Sequence, residues 1–130
     1  MFKTVLFPVD HSREAREAAD MVANLVKIHN SDLVILSVVD QREESAMNSE
    51  AEVTKILEGA KALFSQQGIE SRIIEKEGIA SFTICDVADE VHADLIVMGC
   101  RGLGLIEDGN SESVTNRVIN LSPCPVLVVP

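Results

Sequence analysis

The chain is expected to fold as one α/β domain with a mostly parallel sheet. Three observations lead there. Strand-like runs alternate with helix-like runs from one end of the 130 residues to the other. The runs Thr4-Val5-Leu6-Phe7-Pro8-Val9, Leu33 to Val39 and Leu95 to Met98 are continuously apolar, as strands covered on both faces must be. No stretch rich in Pro, Gly or Ser divides the sequence, so residues 1–130 form a single domain, long enough at 46% hydrophobic to bury a sizeable core.

Taken in order, the first strand is followed by a helix whose stripe is Ala15, Ala18, Ala19, Val22, Leu25 and Val26. The second strand, Leu33 to Val39, leads into a polar, charged stretch from Asp40 to Ser49, expected to be a mobile surface loop. Val53, Ile56, Leu57, Ala60, Leu63 and Phe64 make the stripe of a second helix, stopped by Gly68 in the left-handed position past its end. Glu70 to Glu75 is shorter and more polar, suited to a sheet edge. A third helix starts at the cap Ser81 and buries Ile84, Cys85, Ala88 and Val91. A fourth starts near Ser111 or Ser113 and buries Val114, Val118 and Leu121. The chain closes on the apolar run Val126 to Val129.

Composition removes several function classes. Eleven Lys and Arg face 21 Asp and Glu, a net charge of −10, and aromatic content is 3% with no Trp or Tyr. Phosphate backbones need concentrated cations and bases need stacking platforms, so nucleic acid is not an expected partner. No apolar run reaches the roughly 18 residues of a membrane span, and the start enters a strand without a signal-peptide pattern. The expected location is cytoplasmic, with no membrane partner. Cys85, Cys100 and Cys124 are odd in number and lack Cys-x-x-Cys spacing, which argues for reduced thiols over a disulfide framework or structural zinc. Of these, Cys100 is expected in the exposed loop. His29 and His92 stand singly near helix ends, in solvated or capping roles.

Asp10-His11-Ser12 holds the residue types of a hydrolytic triad, but sequence neighbours cannot form that relay. Gly99-x-x-Gly102-x-Gly104 lies in the wrong place for a dinucleotide fingerprint, and there is no Gly-Lys-Ser/Thr of a P-loop. What remains is the stretch Met98-Gly99-Cys100-Arg101-Gly102, nine loop residues, then Glu112-Ser113-Val114. A glycine turn after a buried strand, followed by a helix start with free N–H groups, reads as a phosphate cradle. In an open parallel sheet, ligands bind beyond the carboxyl ends of the strands. If the first strand lies between the second and fourth, Pro8-Val9-Asp10, Val38-Val39-Asp40 and Met98-Gly99 converge there. Asp10 would then meet a ribose hydroxyl or a metal carried by phosphates, and the Val38 backbone a base edge. The other reading has Asp10 cap the first helix with Ser12.

Pro8-Val9-Asp10-x-Ser12, Ser37-Val38-Val39-Asp40, Gly78-x-Ala80-x-x-x-Ile84, Met98-Gly99-x-x-Gly102 and Cys124-Pro125-Val126-Leu127-Val128-Val129 together resemble the universal stress protein family, over the whole chain. The resemblance implies a five-stranded parallel sheet in order 3-2-1-4-5, helices on both faces, and a homodimer joined through the last strand, Val126, Leu127, Val128 and Val129. It implies a stress-response or signalling module that binds rather than turns over its ligand, with an unidentified protein partner. Carried over by position, it places Gly99 and Gly102 at the phosphates, Ser113 and Val114 as helix-start donors, Asp10 near ribose or metal and Val38 at adenine, with Pro8, Val9 and Met98 also in the nucleotide site. ATP, AMP or cyclic AMP is the implied ligand, with a divalent metal only alongside it.

Two positions depart from the pattern. Ala80 replaces a proline of a structural turn, and Glu112 replaces the first glycine of the second turn. A carboxylate within about 5 Å of a phosphate repels it by roughly 3 kcal/mol per unit-charge pair at an effective dielectric near 20. That would cost more than about a hundredfold in affinity. Alternatively Glu112 rotates outward and favours the helix amino end by its charge. The corresponding functions are an adenine-nucleotide cleft altered at Glu112 and weak for ATP, or a nucleotide-independent dimeric interaction module. No residue is placed as a general base for water, so an ATPase is not expected.

Overall fold

The computed structural model describes residues 2–10, 13–39, 50–99 and 114–130. Its elements are β1 (Thr4–Pro8), α1 (Arg13–His29), β2 (Asp32–Val39), α2 (Glu50–Gln66), β3 (Ser71–Glu77), α3 (Ala80–Glu90), β4 (Leu95–Gly99), α4 (Val114–Leu121) and β5 (Val126–Val129). All five strands are parallel, in the order β3-β2-β1-β4-β5. The fold class and strand order are those expected, with polar β3 at one edge and β5 at the other.

Alternation along the strands splits the core in two. Phe7, Val9, Ile35 and Val39 pack with α1 and α2 on one face. Leu6, Leu36, Val38 and Met98 pack with α3 and α4 on the other. The three inner strands are therefore buried on both sides, which is why their sequences read as unbroken apolar runs.

Three helices end in the same way. Ser31 N–H bonds Val26 O, Ile69 N–H bonds Phe64 O and Ala93 N–H bonds Ala88 O, at 3.1, 3.0 and 2.9 Å. Each bond reaches back five residues around a left-handed residue: Asn30 (φ 52°), Gly68 (φ 78°) and His92 (φ 56°). Glycine announced only the second. At Gly78 a Cβ would stand 2.6 Å from Thr83 Oγ1, and φ is +152°, so the β3–α3 turn requires glycine on both counts.

Some expectations need correction. Ser81 does not cap α3: the helix begins at Ala80 with Ile79 as N-cap and no side-chain cap bond, because Ser81 faces the core one turn before Ile84. Leu63 and Leu121 are exposed, at 41% and 49%, lying on the flanks of their helices rather than on the buried stripes. Leu25, Ile56 and Ala60 are only partly buried. Asp40 to Ser49, Ser111 and Ser113 lie outside the described residues.

Candidate functional site

β1 parts from β4 where the candidate residues stand, and Pro8 is the cause. Val9 N–H donates to Leu36 O at 2.8 Å, so the odd residues of β1 bond toward β2 and the even ones, Leu6 and Pro8, toward β4. Pro8 has no N–H to give. The β1–β4 register accordingly ends at Leu6↔Ile96, whereas β1–β2 continues to Pro8↔Leu36.

That leaves polar groups of β4 without a strand partner. Ile96 N–H bonds Pro125 O, so even residues of β4 bond toward β5 and odd ones, including Gly99, toward β1. The Gly99 carbonyl is met instead by Thr115, whose Oγ1–H donates to it at 3.0 Å from the first turn of α4. The bond is buried and spans 16 residues of sequence. It holds the amino end of α4, with Val114 half-buried beside it, against the carboxyl end of β4.

On the β2 side, Ser37 Oγ–H donates to Val9 O at 2.9 Å, tying β1 to β2 after regular pairing stops. The same alternation directs the peptide groups of Val38 toward β1, past its last ladder residue. Val38 and Met98 share the α3/α4 face of the sheet. Pro8, two residues beyond Leu6, lies on that face too. Asp10 is 8% exposed and already engaged by a polar partner.

The structure thus brings Pro8, Asp10, Val38, Met98, Gly99 and Val114 to the carboxyl ends of the three inner strands and the start of α4. Val9 differs. Its side chain belongs to the opposite core, and its N–H and carbonyl are both bonded. Gly102, Glu112, Ser113 and Cys100 lie outside the described residues. Sequence reasoning passed over Ser37 and Thr115. Ser37 was visible as a lone hydroxyl in an apolar run, but Thr115, next to the expected helix donors, carried no separate signal.

Two buried-side groups near this face are titratable. Burial, with the charge of Asp86 and then Cys124, holds the Cys85 thiol above its ordinary pKa. Burial also raises Cys124, the hydrogen bond with Ser122 opposing it. Among the described residues no group of three or more His, Cys, Asp or Glu is placed to hold a metal. No helix there is long and apolar enough to cross a membrane.

Comparison with known proteins agrees with this architecture. Residues 1–130 match the universal stress protein family. The universal stress protein Sll1654 of Synechocystis sp. is 68% identical over 136 residues, covering 100% of this chain and 87% of the relative. Among solved structures, the universal stress protein UspA of Lactobacillus plantarum superposes with a TM-score of 0.84 at 25% identity, covering 99% of this chain and 98% of that one. A universal stress protein in complex with cAMP superposes with a TM-score of 0.81 at 26% identity, covering 98% and 96%. A match along the whole length, a relative of such identity and a shared strand order lead to one conclusion: this chain belongs to the universal stress protein family.

Proposed function

We propose that the carboxyl ends of β1, β2 and β4 form an adenine-nucleotide cleft, altered at Glu112 and weak for ATP, in a stress-response module that binds without turnover. The carrying observation is the Thr115–Gly99 bond, which sets a helix amino end beside strand ends opened by Pro8. A helix start offers N–H donors and a favourable potential to an anion. The cAMP complex of a relative supports the class of ligand. In this reading Val38 offers its peptide edge to the base and Asp10 meets ribose. Gly99, Gly102, Ser113 and Val114 surround phosphate, and a divalent ion enters only with the nucleotide, at Asp10.

Glu112 sets the order of affinities. A triphosphate places more charge near residue 112 than AMP or cyclic AMP does, so ATP loses most. Calorimetry with ATP, AMP and cyclic AMP on the wild type and on Glu112→Gly tests this. The expected result is ATP binding strengthened by about tenfold or more in the variant, with smaller gains for the other two. If neither protein binds any of the three at millimolar concentration, the cleft is not a nucleotide site.

The alternative is a nucleotide-independent module that works through protein contacts alone, drawing on β5, all four residues of which are only half-buried in the single chain. In both readings this edge pairs with its copy in a homodimer.

A further inference from the structure

The two faces of the sheet are closed differently. α3 packs on α4, but α1 rests on β1 and β4 while α2 rests on β2 and β3, and the two scarcely meet. Between them, over the end of β1, lies a cavity of about 450 Å³. Its walls are Phe7, Val9, Ala19, Ile56, Ala60 and Phe64, with Leu63 half-exposed beside them and Asp10, Glu52 and Lys55 as the charged lining among the described residues. The volume falls in the range of small-molecule sites, about 300 to 1,000 Å³, and so does the character, an apolar interior with few polar groups. It opens on the sheet face opposite Val38 and Met98.

Gly59 is the second, independent observation. It stands in the middle of α2, where glycine weakens a helix more than any residue except proline. Neither backbone nor packing requires it, since a Cβ there would find nothing within 4 Å and no left-handed φ is involved. Glycine at this point on the wall keeps the cavity wide. One turn earlier on the same helix, Lys55 reaches the rim exposed. Asp10 and Glu52 already have partners, whereas Lys55 makes no ion pair or hydrogen bond among the described residues.

We infer that this cavity is a second binding site, for an amphiphile with an unbranched apolar tail and one anionic head, of the class of a medium-chain fatty carboxylate. The tail lies between Phe7, Val9 and Phe64 on the floor and Ile56 and Ala60 on the wall. The head pairs with Lys55. The site borders the proposed nucleotide cleft at Asp10 but lies on the opposite face of the sheet, and the inference does not require nucleotide to bind.

The chain has no Trp or Tyr, so calorimetry with dodecanoate and with dodecanol, in the absence of nucleotide, is the direct measurement. The variants are Gly59→Ala, Gly59→Leu and Lys55→Gln. Gly59→Ala takes little room and should bind dodecanoate within about threefold of the wild type, while Gly59→Leu fills the cavity and should bind about tenfold more weakly or worse. Both should melt above the wild type because each improves the helix, which separates lost binding from lost folding. Lys55→Gln should weaken dodecanoate by about threefold or more and leave dodecanol unchanged. Wild-type protein that fails to bind dodecanoate at millimolar concentration overturns the site, as does equal binding by Gly59→Leu. Equal binding of dodecanoate by Lys55→Gln overturns the anionic head.

Discussion

Thr115 and Gly99 are joined just past the point where β1 parts from β4: the Thr115 Oγ1–H meets the Gly99 carbonyl at 3.0 Å, on the side of β4 where the β1 ladder has ended at Leu6↔Ile96, before Pro8. The relation joins a missing donor, an opened pair of strands and the position of α4. Thr115→Val keeps the shape and removes the donor, leaving a buried carbonyl unpaired. We expect a loss of about 1–2 kcal/mol in urea unfolding, with Thr115→Ser close to the wild type. Equal stability of the three proteins would show that the bond does not hold α4 in place.

Ser81 poses the opposite case. Its Oγ is 1% exposed as a residue and has no hydrogen-bond partner among the described residues. A buried hydroxyl left unpaired costs about 1–3 kcal/mol. Ser81→Ala should therefore raise the melting temperature, by about 3 °C or more in a domain of this size. A decrease would mean that the hydroxyl has a partner in solution.

The thiols set an alkaline limit. Cys85 and Cys124 both have raised pKa values in the fold, chiefly through burial. The folded state then holds its thiol protons more tightly than the unfolded chain, so this contribution to stability is intact below the unfolded thiol pKa and falls as pH rises through and beyond it. Urea midpoints should decline from about pH 8.5 upward, less steeply in a Cys85→Ala, Cys124→Ala double variant. The same raised values slow thiolate reactions, so a mild thiol reagent at neutral pH should label Cys100 first. Equal rates at all three cysteines would contradict both points.

The free edge can be tested without touching the core. Ile96 N–H bonds Pro125 O, so Pro125, Leu127 and Val129 bond toward β4 while the N–H groups of Val126 and Val128 point outward. Val128→Pro deletes an outward donor only. The wild type should scatter light as a dimer at micromolar concentration and the variant as a monomer with unchanged circular dichroism. A monomeric wild type would remove β5 as the dimer edge.

The strand content, the two-sided burial of β1, β2 and β4, the polar β3 edge and the stop at Gly68 were legible in the residues, because each follows from local pattern and burial. The strand order came from family resemblance, since periodicity does not say which strands are neighbours. Asn30 and His92 escaped notice because a left-handed helix end is favoured by glycine but is also taken by other residues when a five-residue back bond holds it.

What the sequence determined by itself is chemical: Pro8 cannot donate, Glu112 carries a charge, Gly59 has no side chain and the last strand is apolar throughout. Only the tertiary structure decided what those facts do. Pairing β1 between β2 and β4 turned the missing N–H of Pro8 into an opening, and bringing α4 back over β4 made Thr115 its closure. The same pairing sent Val9 to the opposite core, away from Val38 and Met98, since neighbouring residues in a strand face opposite sides. The separation of α1 from α2, which gives Gly59 a cavity to border, depends on where each helix seats on the sheet, and no local pattern records that.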